Sequence, residues 1–225
     1  MKHAKRHPLI FGTIILTATG LITRVIGFFY RIYLSRLFGE EGMGIYQLLS
    51  PALSLSFSLT AAGYQTAISK YVAADSAKRP SGNLKPLLAG ISITLPLSLV
   101  TNAILFFSAD PIGIFLLKDH RTVPMLRILS FSVPFAALHA CINGYFYGKK
   151  KASVPALTQL LEQLARVSCV FLVTGADLSE GRTPSINAAV LGLTVGEIFS
   201  MLIALVCLYI HLFRSIGICL VWHCL

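Results

Sequence analysis

The stretch LITRVIGFFYRIYLSRLFG, residues 21–39, decides the fold class, because it is an apolar helix that nevertheless carries three arginines. Its aliphatic and aromatic residues are typical of a helix in a membrane, where about 20 apolar residues cross the hydrocarbon core. A charged side chain at the bilayer centre costs roughly 2.5 kcal/mol or more. Arg24, Arg31 and Arg36 therefore each require a specific environment in this helix.

The composition of the whole chain agrees with a membrane protein. Of its 225 residues, 55% are hydrophobic and only 12% are charged, whereas soluble domains carry about 25% charged residues. The mean hydropathy is +0.74. We therefore predict an all-α, polytopic membrane helix bundle with about six transmembrane helices.

The six spans follow from the lengths of the apolar runs and from the polar turns between them. The predicted spans are residues 9–38, 44–74, 84–108, 123–148, 154–174 and 186–213. Residues 1–8 form a basic N-terminal segment, residues 9–213 the membrane lobe, and residues 214–225 an atypical tail that suggests a truncation or a frameshift. The half-apolar piece 109–123 is expected to form a short helix at the membrane interface.

The distribution of charge predicts the orientation of the chain. The net charge is +10, and basic residues of membrane proteins gather in cytoplasmic loops. With the N-terminus inside, eleven of the nineteen basic residues fall in cytoplasmic segments and four in external loops, whereas six of the nine acidic residues fall outside. We therefore predict a multi-pass protein of the cell membrane with a cytoplasmic N-terminus. The basic runs lack interleaved aromatic residues, so no nucleic-acid partner is predicted.

Two arginines of the opening stretch share one face of their helix. Residues seven apart nearly eclipse in an α-helix, so Arg24 and Arg31 lie above each other, about 10 Å apart. The same face holds four small or polar residues, Thr17, Gly20, Gly27 and Ser35. Such a face is expected to contact other helices or a watery cavity rather than lipid. Arg36 lies near the membrane surface, where a long side chain can reach water.

Polar residues also follow the later spans. In the second span they repeat every three or four residues, at Ser50, Ser54, Ser58, Ala61, Gln65 and Ser69. In the fifth span Glu162 and Arg166 stand at i, i+4 and can pair directly. This pair is either a neutralised structural pair or part of a cavity. The sixth span carries Glu197 about midway, so Gln65, Glu162, Arg166 and Glu197 are the candidates for a polar cavity.

Three further features are predicted to be structural or to carry no site. The GxxxG motifs at Gly144–Gly148 and Gly192–Gly196 favour close helix packing over a dimer face. His139 shares a helix face with Asn143 and is predicted to be a satisfied packing residue rather than a proton relay. Histidines and carboxylates do not cluster in the sequence as metal ligands would, so no metal site is predicted.

Buried arginines that face a cavity favour an anion, and phosphate above all. The guanidinium group offers forked donors that match phosphate oxygens in pairs, so Arg24 and Arg31 together can hold a diphosphate and its neighbouring sugar. The sequence contains no GxSxG, HExxH or Walker lysine loop, and no acid–base cluster lies in its loops. We therefore predict a protein that is not an enzyme and needs no cofactor.

Three segments of the chain resemble a known family. TRVIGFFYRIYLSRLFGEEGMGIYQLLSP and the following GYQTAISKYVA resemble the opening of the stage V sporulation protein B / polysaccharide biosynthesis family. That family belongs to the multidrug/oligosaccharidyl-lipid/polysaccharide exporter superfamily, which includes lipid II flippases. The segment LTQLLEQLARV, residues 157–167, resembles the fifth helix of the same family. The resemblance covers nearly all of residues 9–213.

The resemblance implies the N-terminal lobe of a two-lobe transporter. Its substrate would be a lipid-linked sugar diphosphate, such as a precursor for polysaccharide, cell-wall peptidoglycan or spore-cortex synthesis, moved between the leaflets of the bilayer. Arg24 and Arg31 would be the cavity cations, and Glu162 with Arg166 the corresponding pair of the fifth helix. The external turn would comprise Gly39, Gly42, Gly44 and Tyr46.

The resemblance also implies that the chain is a fragment. Family members have roughly twice as many helices, and alternating access requires two lobes that move about a site near the midplane. Coupling to Na+ or H+ is compatible with the sequence, and the residues favour neither ion.

Two rival functions stay open at this point. A drug or cation antiporter of the same superfamily would require a carboxylate-lined site, for which Glu197 is a candidate, although the cationic first helix argues against cationic drugs. A non-transporting membrane scaffold that recruits envelope enzymes would give Arg24 and Arg31 no role in binding.

Overall fold

The computed structural model describes residues 8–78 and 84–223, with side chains described for residues 12–76 and 84–213. Within these residues every regular element is a helix, which confirms the predicted all-α fold. Most of the predicted basic N-terminal segment, residues 1–7, lies outside the described residues, as does the turn at 79–83.

The helices follow one another with short connections. In chain order they are α1 (Pro8–Leu48), α2 (Ser50–Phe57), a first π-helix (Ser58–Ala62), α3 (Gly63–Lys78), α4 (Lys85–Phe107), α5 (Ala109–Pro111), a second π-helix (Ile112–Leu116), α6 (Thr122–Ser130), α7 (Ser132–Gly148), α8 (Ser153–Ser179) and α9 (Asn187–His223). The connection predicted at the membrane interface contains α5 and the second π-helix, so it is helical as expected.

Five segments of the described chain are long and apolar enough to cross a membrane. They are Gly12–Ser76, Lys85–Phe107, Thr122–Gly148, Ser153–Ser179 and Asn187–Phe213. The first has 65 residues; as one straight helix it would be about 98 Å long, roughly three times the hydrocarbon thickness. It is interrupted at Gly39 and therefore provides two spans, which agrees with the six predicted.

The break between the first two spans is a single residue. Gly39 has φ 69° and ψ −176°, a conformation that glycine adopts without the steric cost of a Cβ atom. Gly42, Gly44 and Tyr46 already lie in helix, so the predicted turn through these four residues is wrong. The glycines at 42 and 44 keep ordinary helical dihedrals, and only Gly39 reverses its φ.

The predicted fourth span is divided into α6 and α7. The division at Phe131 has a clear cause in Pro134, whose ring clashes with the carbonyl four residues earlier. That carbonyl belongs to Ser130, the last residue of α6. The sixth predicted span also differs, because α9 continues through His223, past the expected end at residue 213; residues 224–225 of the predicted tail lie outside the described residues.

The polar stripe predicted along the second span does not keep to one face. The π-helix at Ser58–Ala62 interrupts the α-helical period, and a π-helix shifts the hydrogen bonding to i→i+5. Ser54 and Ser58 are exposed, whereas Ala61 is buried and Gln65 is half-buried. The stripe therefore moves from the outside of the bundle to its inside across the π-helix, and Gln65 is aimed at the core.

Glycines bring the central helices into close contact. A Cβ atom at Gly144 would lie 2.6 Å from the carbonyl oxygen of Gln65, and one at Gly148 would lie 2.7 Å from that of Ser69, so α7 and α3 touch along their backbones. In the same way α9 approaches α8 at Gly192 and Gly196. The prediction that both GxxxG motifs serve helix packing is confirmed.

Candidate functional site

A polar cavity lies inside the bundle, between the span that contains α3 and helices α7, α8 and α9. Its volume is about 210 Å³. It is lined by Phe57, Gln65, Ala136, His139, Ala140, Asn143, Tyr147, Pro155, Gln159, Glu162 and Glu197. Carboxylates, amides and an imidazole inside apolar spans are expensive unless they meet one another or water, so this cavity is the candidate site.

The packing of the glycines places the cavity residues. Gly144 of α7 lies against the backbone of Gln65, and Gly196 of α9 lies against the backbone of Glu162. Glu197 follows Gly196 directly, so the close approach of α9 to α8 also fixes the position of the second carboxylate. The sequence predicted Gln65, Glu162 and Glu197 as cavity residues, and all three line this one cavity.

His139 lies at the centre of a buried hydrogen-bond network. Its Nε2 atom lies 2.7 Å from Nδ2 of Asn143, 2.9 Å from Oγ of Ser200 and 3.3 Å from Oγ1 of Thr158. These partners come from α7, α8 and α9, and the side chains of all four residues are buried. The amide N–H of Asn143 points at Nε2, and in the neutral tautomer that accepts this hydrogen bond the ring hydrogen lies on Nδ1.

Arg166 neutralises one of the two carboxylates. Its Nη2 atom donates to Oε1 of Glu162 at 2.5 Å, which confirms the predicted i, i+4 pair. Its Nη1 atom lies 3.5 Å from Oε1 of Gln163. The Gln163 amide in turn lies against Gly27 of α1, where an added Cβ atom would meet it at 3.5 Å. The pair is thus tied to the first span through Gln163.

Glu197 has no such partner. Its Oε2 atom lies 3.7 Å from Nδ1 of His139, and within the described residues no lysine or arginine forms an ion pair with it. His139, Glu162 and Glu197 each place one nitrogen or carboxylate oxygen within 4.8 Å of the others. The expectation that histidine and carboxylates do not cluster is therefore wrong, because residues from three separate helices meet here and their sequence spacing hides it.

Arg24 and Arg31 lie elsewhere. Both side chains are exposed on the outer surface of the described bundle, and neither forms a hydrogen bond or ion pair with any residue that the structure describes. They do not line the cavity between α7, α8 and α9. Gly27 lies between Arg24 and Arg31 along α1 and packs against Gln163 of α8. The helix face that carries the two arginines therefore borders the contact of α1 with α8.

A second polar cluster lies outside the spans. Arg121 donates through Nη2 to Oε1 of Glu41 at 2.7 Å and holds Asp119 by side-chain and backbone hydrogen bonds. These hydrogen bonds lower the pKa of the Asp119 carboxyl below its ordinary value. The same bonds, those to Asp119 first, raise the pKa of the Arg121 guanidinium. The cluster joins the start of the second span to the loop before α6.

Sequence reasoning missed several residues around the cavity. Asn143, Thr158, Gln159 and Ser200 were not named as site residues, although each is polar and lies inside a predicted span. The i, i+4 spacing of His139 and Asn143 was visible in the sequence. Their contacts with Thr158 and Ser200 depend on how three helices pack and leave no trace in spacing along one helix.

Comparisons with known proteins give a consistent result. The family model described as polysaccharide biosynthesis protein matches residues 9–219. The chain is 36% identical to stage V sporulation protein B of Bacillus subtilis (strain 168) over 197 residues, which covers 87% of this chain and 38% of that protein. It is 27% identical to the lipid II flippase MurJ of the same organism over 179 residues, covering 76% of this chain and 32% of that protein.

The comparisons also show how much of each relative's length this chain matches. The chain is 26% identical to the uncharacterised membrane protein YabM of Bacillus subtilis over 211 residues, or 94% of this chain and 38% of that protein. It thus spans well under half the length of the curated relatives that it matches. No solved structure matches the chain significantly. Together with its apolar helices, these similarities identify a multi-pass membrane protein.

Proposed function

The chain belongs to the polysaccharide biosynthesis protein family, and from that premise we propose that it is the N-terminal lobe of a flippase-type exporter. The complete transporter moves a lipid-linked oligosaccharide or peptidoglycan precursor from the inner to the outer leaflet. One observation carries the proposal: Arg24 and Arg31 are exposed on a membrane-spanning helix and form no hydrogen bond or ion pair with a described residue.

The exposure of these arginines supports a site between two lobes. Two guanidinium groups in lipid would be strongly unfavourable, so they require an anion or a second protein surface. The described helices offer them no carboxylate. A diphosphate between this lobe and a second one satisfies both arginines with bidentate hydrogen bonds, and the second lobe accounts for the length that the relatives have and this chain lacks.

The remaining parts of the proposal follow from charge. The lobe lies in the cell membrane with its N-terminus in the cytoplasm, because most basic residues outside the spans then face the cytoplasm. In that orientation the Arg121 cluster lies on the external side. The transporter performs no covalent chemistry, so no cofactor is proposed.

Binding of the diphosphate lipid tests the proposal. The purified chain in detergent is titrated with undecaprenyl diphosphate, and affinity is compared among the wild type, Arg24→Gln, Arg31→Gln and the control Arg36→Gln. Removing one charge-assisted hydrogen-bond donor pair is expected to weaken binding about 10-fold or more. Arg36 lies on the same helix and is also exposed, so its variant should bind like the wild type.

Two outcomes would contradict the proposal. If Arg24→Gln and Arg31→Gln bind as tightly as the wild type, the exposed arginines do not hold the diphosphate. If Arg36→Gln loses affinity equally, the binding reflects general attraction of an anion to a basic helix. If the affinity for undecaprenyl diphosphate is preserved in all variants, the membrane scaffold is favoured instead, because in that function Arg24 and Arg31 have no role in binding.

The cavity gives one observation in favour of a second function. A cation exporter requires carboxylates inside the bundle, and Glu162 and Glu197 both line the cavity. Its volume of about 210 Å³ is small for a drug-sized molecule, which favours the flippase. Efflux of a cationic dye from cells that make the complete transporter discriminates the two: Glu197→Gln should abolish efflux only if the antiporter function is correct.

A further inference from the structure

We propose that the buried cluster of Glu162, Glu197 and His139 is a proton-binding site, in which the two carboxylates share one exchangeable proton. The role of this proton in transport rests on the proposed function, whereas its binding does not. The contacts around the cluster, its charge and its access to water carry the inference.

The charge of the cluster is unbalanced. Glu162 and Glu197 contribute two negative charges, and Arg166 contributes one positive charge through its 2.5 Å bond to Glu162. The count takes His139 in the neutral tautomer, in which Nε2 accepts from Asn143. One negative charge therefore remains inside a membrane span, where an unpaired charge is very costly. A single proton removes it.

The geometry of the cluster favours a proton that is shared between the two carboxylates. Their oxygens lie within 4.8 Å of each other and of an imidazole nitrogen, and like charges at this separation cannot both persist easily in a poorly solvated site. Both side chains are mostly buried, with 16% of Glu162 and 22% of Glu197 exposed. The proton thus binds to a carboxylate oxygen that faces the other carboxylate.

His139 acts as a positioning residue. The residue as a whole is 9% exposed, and Asn143, Thr158 and Ser200 lie within 3.3 Å of its Nε2 atom. The Nδ1 atom lies 3.7 Å from Oε2 of Glu197 and 3.3 Å from Oγ of Ser200. An Nδ1–H group in this direction stabilises the deprotonated Glu197 carboxylate, and the attraction weakens when the carboxylate gains a proton. His139 thereby influences the proton affinity of the site while it keeps its hydrogen bonds at Nε2.

The other groups around the cluster are consistent with one proton. Tyr147 of α7 lines the same cavity and is neutral at physiological pH. Tyr30 and Tyr46 of α1 are electrostatic neighbours of Arg166. From α3 the cavity receives the uncharged amide of Gln65, and from α8 that of Gln159. Arg166 is therefore the only lysine or arginine paired with the cluster among the described residues.

A metal ion fits the same groups less well. Arg166 already neutralises Glu162, so one negative charge remains in the cluster. Binding a divalent ion would replace this excess negative charge by an excess positive charge. An alkali ion requires a shell of several oxygen ligands, whereas one of the three groups here is an imidazole that suits softer transition metals. The cavity of about 210 Å³ has room for water, which can exchange a proton with the carboxylates that line it.

Infrared difference spectroscopy of the detergent-purified chain tests the inference. The carbonyl stretch of a protonated carboxylic acid is followed as the pH is lowered from 9 to 5, roughly the range in which a buried carboxyl gains its proton. The spectra of the wild type, Glu197→Gln, Glu162→Gln and the control Glu180→Gln are compared without any lipid substrate. Glu180 lies at the external end of α8 and pairs with Arg182, so its variant should behave like the wild type.

We expect a protonated-carboxyl band in the wild type that loses at least half its intensity in Glu197→Gln or Glu162→Gln and keeps it in Glu180→Gln. His139→Asn should shift the midpoint of the band by a measurable fraction of a pH unit without removing it, which a purely structural role would not do. Glutamine keeps the size of glutamate, and circular dichroism confirms that each variant remains helical.

Three results would overturn the inference. The band could be absent from the wild type, or unchanged in both glutamine variants. It could also disappear on adding millimolar NaCl in place of KCl, or millimolar ZnCl2, which would show a metal rather than a proton at the site. Because no lipid is present, failure here leaves the diphosphate proposal standing, and loss of diphosphate binding leaves this result unaffected.

Discussion

At the scale of single residues, charges in this lobe fall into three environments with different consequences. Glu162 and Arg166 neutralise each other inside the bundle, Glu197 depends on an imidazole, and Arg24 is exposed without a partner. Exposed ion pairs such as that of Arg121 with Glu41 contribute little to stability. The functional interest therefore lies with the charges that lack a complementary partner.

The cluster of Arg121, Asp119 and Glu41 allows a prediction at this scale. Hydrogen bonds from Arg121 lower the pKa of Asp119, so their contribution is present above the ordinary carboxyl pKa and is lost as the pH falls through the lowered value. In Arg121→Gln we expect the Asp119 titration, followed by carbon NMR, to move up toward the ordinary value of about 3.9.

Arg182→Gln is the matched control for this prediction. It removes another exposed arginine, which pairs with Glu180. The Asp119 titration should stay where it is in this variant. An equal upward movement in both variants would mean that the overall positive charge, rather than the hydrogen bonds of Arg121, sets the pKa.

At the scale of helices, the sequence predicted which spans exist and how long they are better than it predicted where the helices are interrupted. Apolar length placed α4 and α8 to within a few residues, because hydrophobic thickness constrains every span alike. The π-helix at Ser58–Ala62 could not be predicted, since its five residues look like any apolar helix. Of several glycines near the first turn, only Gly39 takes a positive φ, and spacing could not select it.

The same limit applies to the candidate site. Gln65, Glu162 and Glu197 were predictable because each is polar within an apolar span. Their position in one cavity with His139 was not predictable, because it depends on the close approach of helix backbones at Gly144 and Gly196. The expected cavity role of Arg24 and Arg31 stays a prediction, since neither side chain lines the described cavity.

The close approach of α7 to α3 gives a prediction for helix packing. In Gly144→Ala the new methyl group would lie 2.6 Å from the Gln65 carbonyl oxygen, and a backbone atom cannot move aside easily. We expect the free energy of unfolding in detergent to fall by about 1–3 kcal/mol, as for other overpacked positions. Equilibrium unfolding followed by helicity measures the change.

Gly175→Ala is the corresponding control. Gly175 lies in α8 with no atom within 4 Å of an added Cβ, so alanine should be neutral or raise the free energy of unfolding by roughly 0.5–1 kcal/mol. If both variants lost stability to the same extent, the loss would reflect glycine itself rather than its contact with α3.

At the scale of the whole molecule, the described helices combine a buried polar region with an exposed cationic one. The buried region joins α7, α8 and α9 through the network of His139. The exposed region carries Arg24 and Arg31 on α1. An exposed cationic face on a membrane-spanning helix is what the proposed two-lobe transporter requires, because alternating access places the substrate between two halves.

The orientation of the lobe leads to a further prediction. In a background without the five native cysteines, Arg182→Cys should react with a membrane-impermeant maleimide on intact cells. Lys150→Cys, in the basic turn between α7 and α8, should react only after the membrane is permeabilised, because basic turns face the cytoplasm. The reverse pattern would show that the N-terminus lies outside.

The hydrogen bonds of His139 also bear on how the chain is made. Asn143 lies four residues away on the same helix, at 2.7 Å, whereas Ser200 lies 61 residues further along the chain. While the ribosome is still synthesising α8 and α9, α7 can thus enter the bilayer with its two most polar side chains joined only to each other. Thr158 then arrives with α8 and Ser200 with α9, so the network is completed only when the last described helix has been made. Nascent chains that stop before α9 would display His139 within the lipid, and we expect membrane proteases to recognise them there.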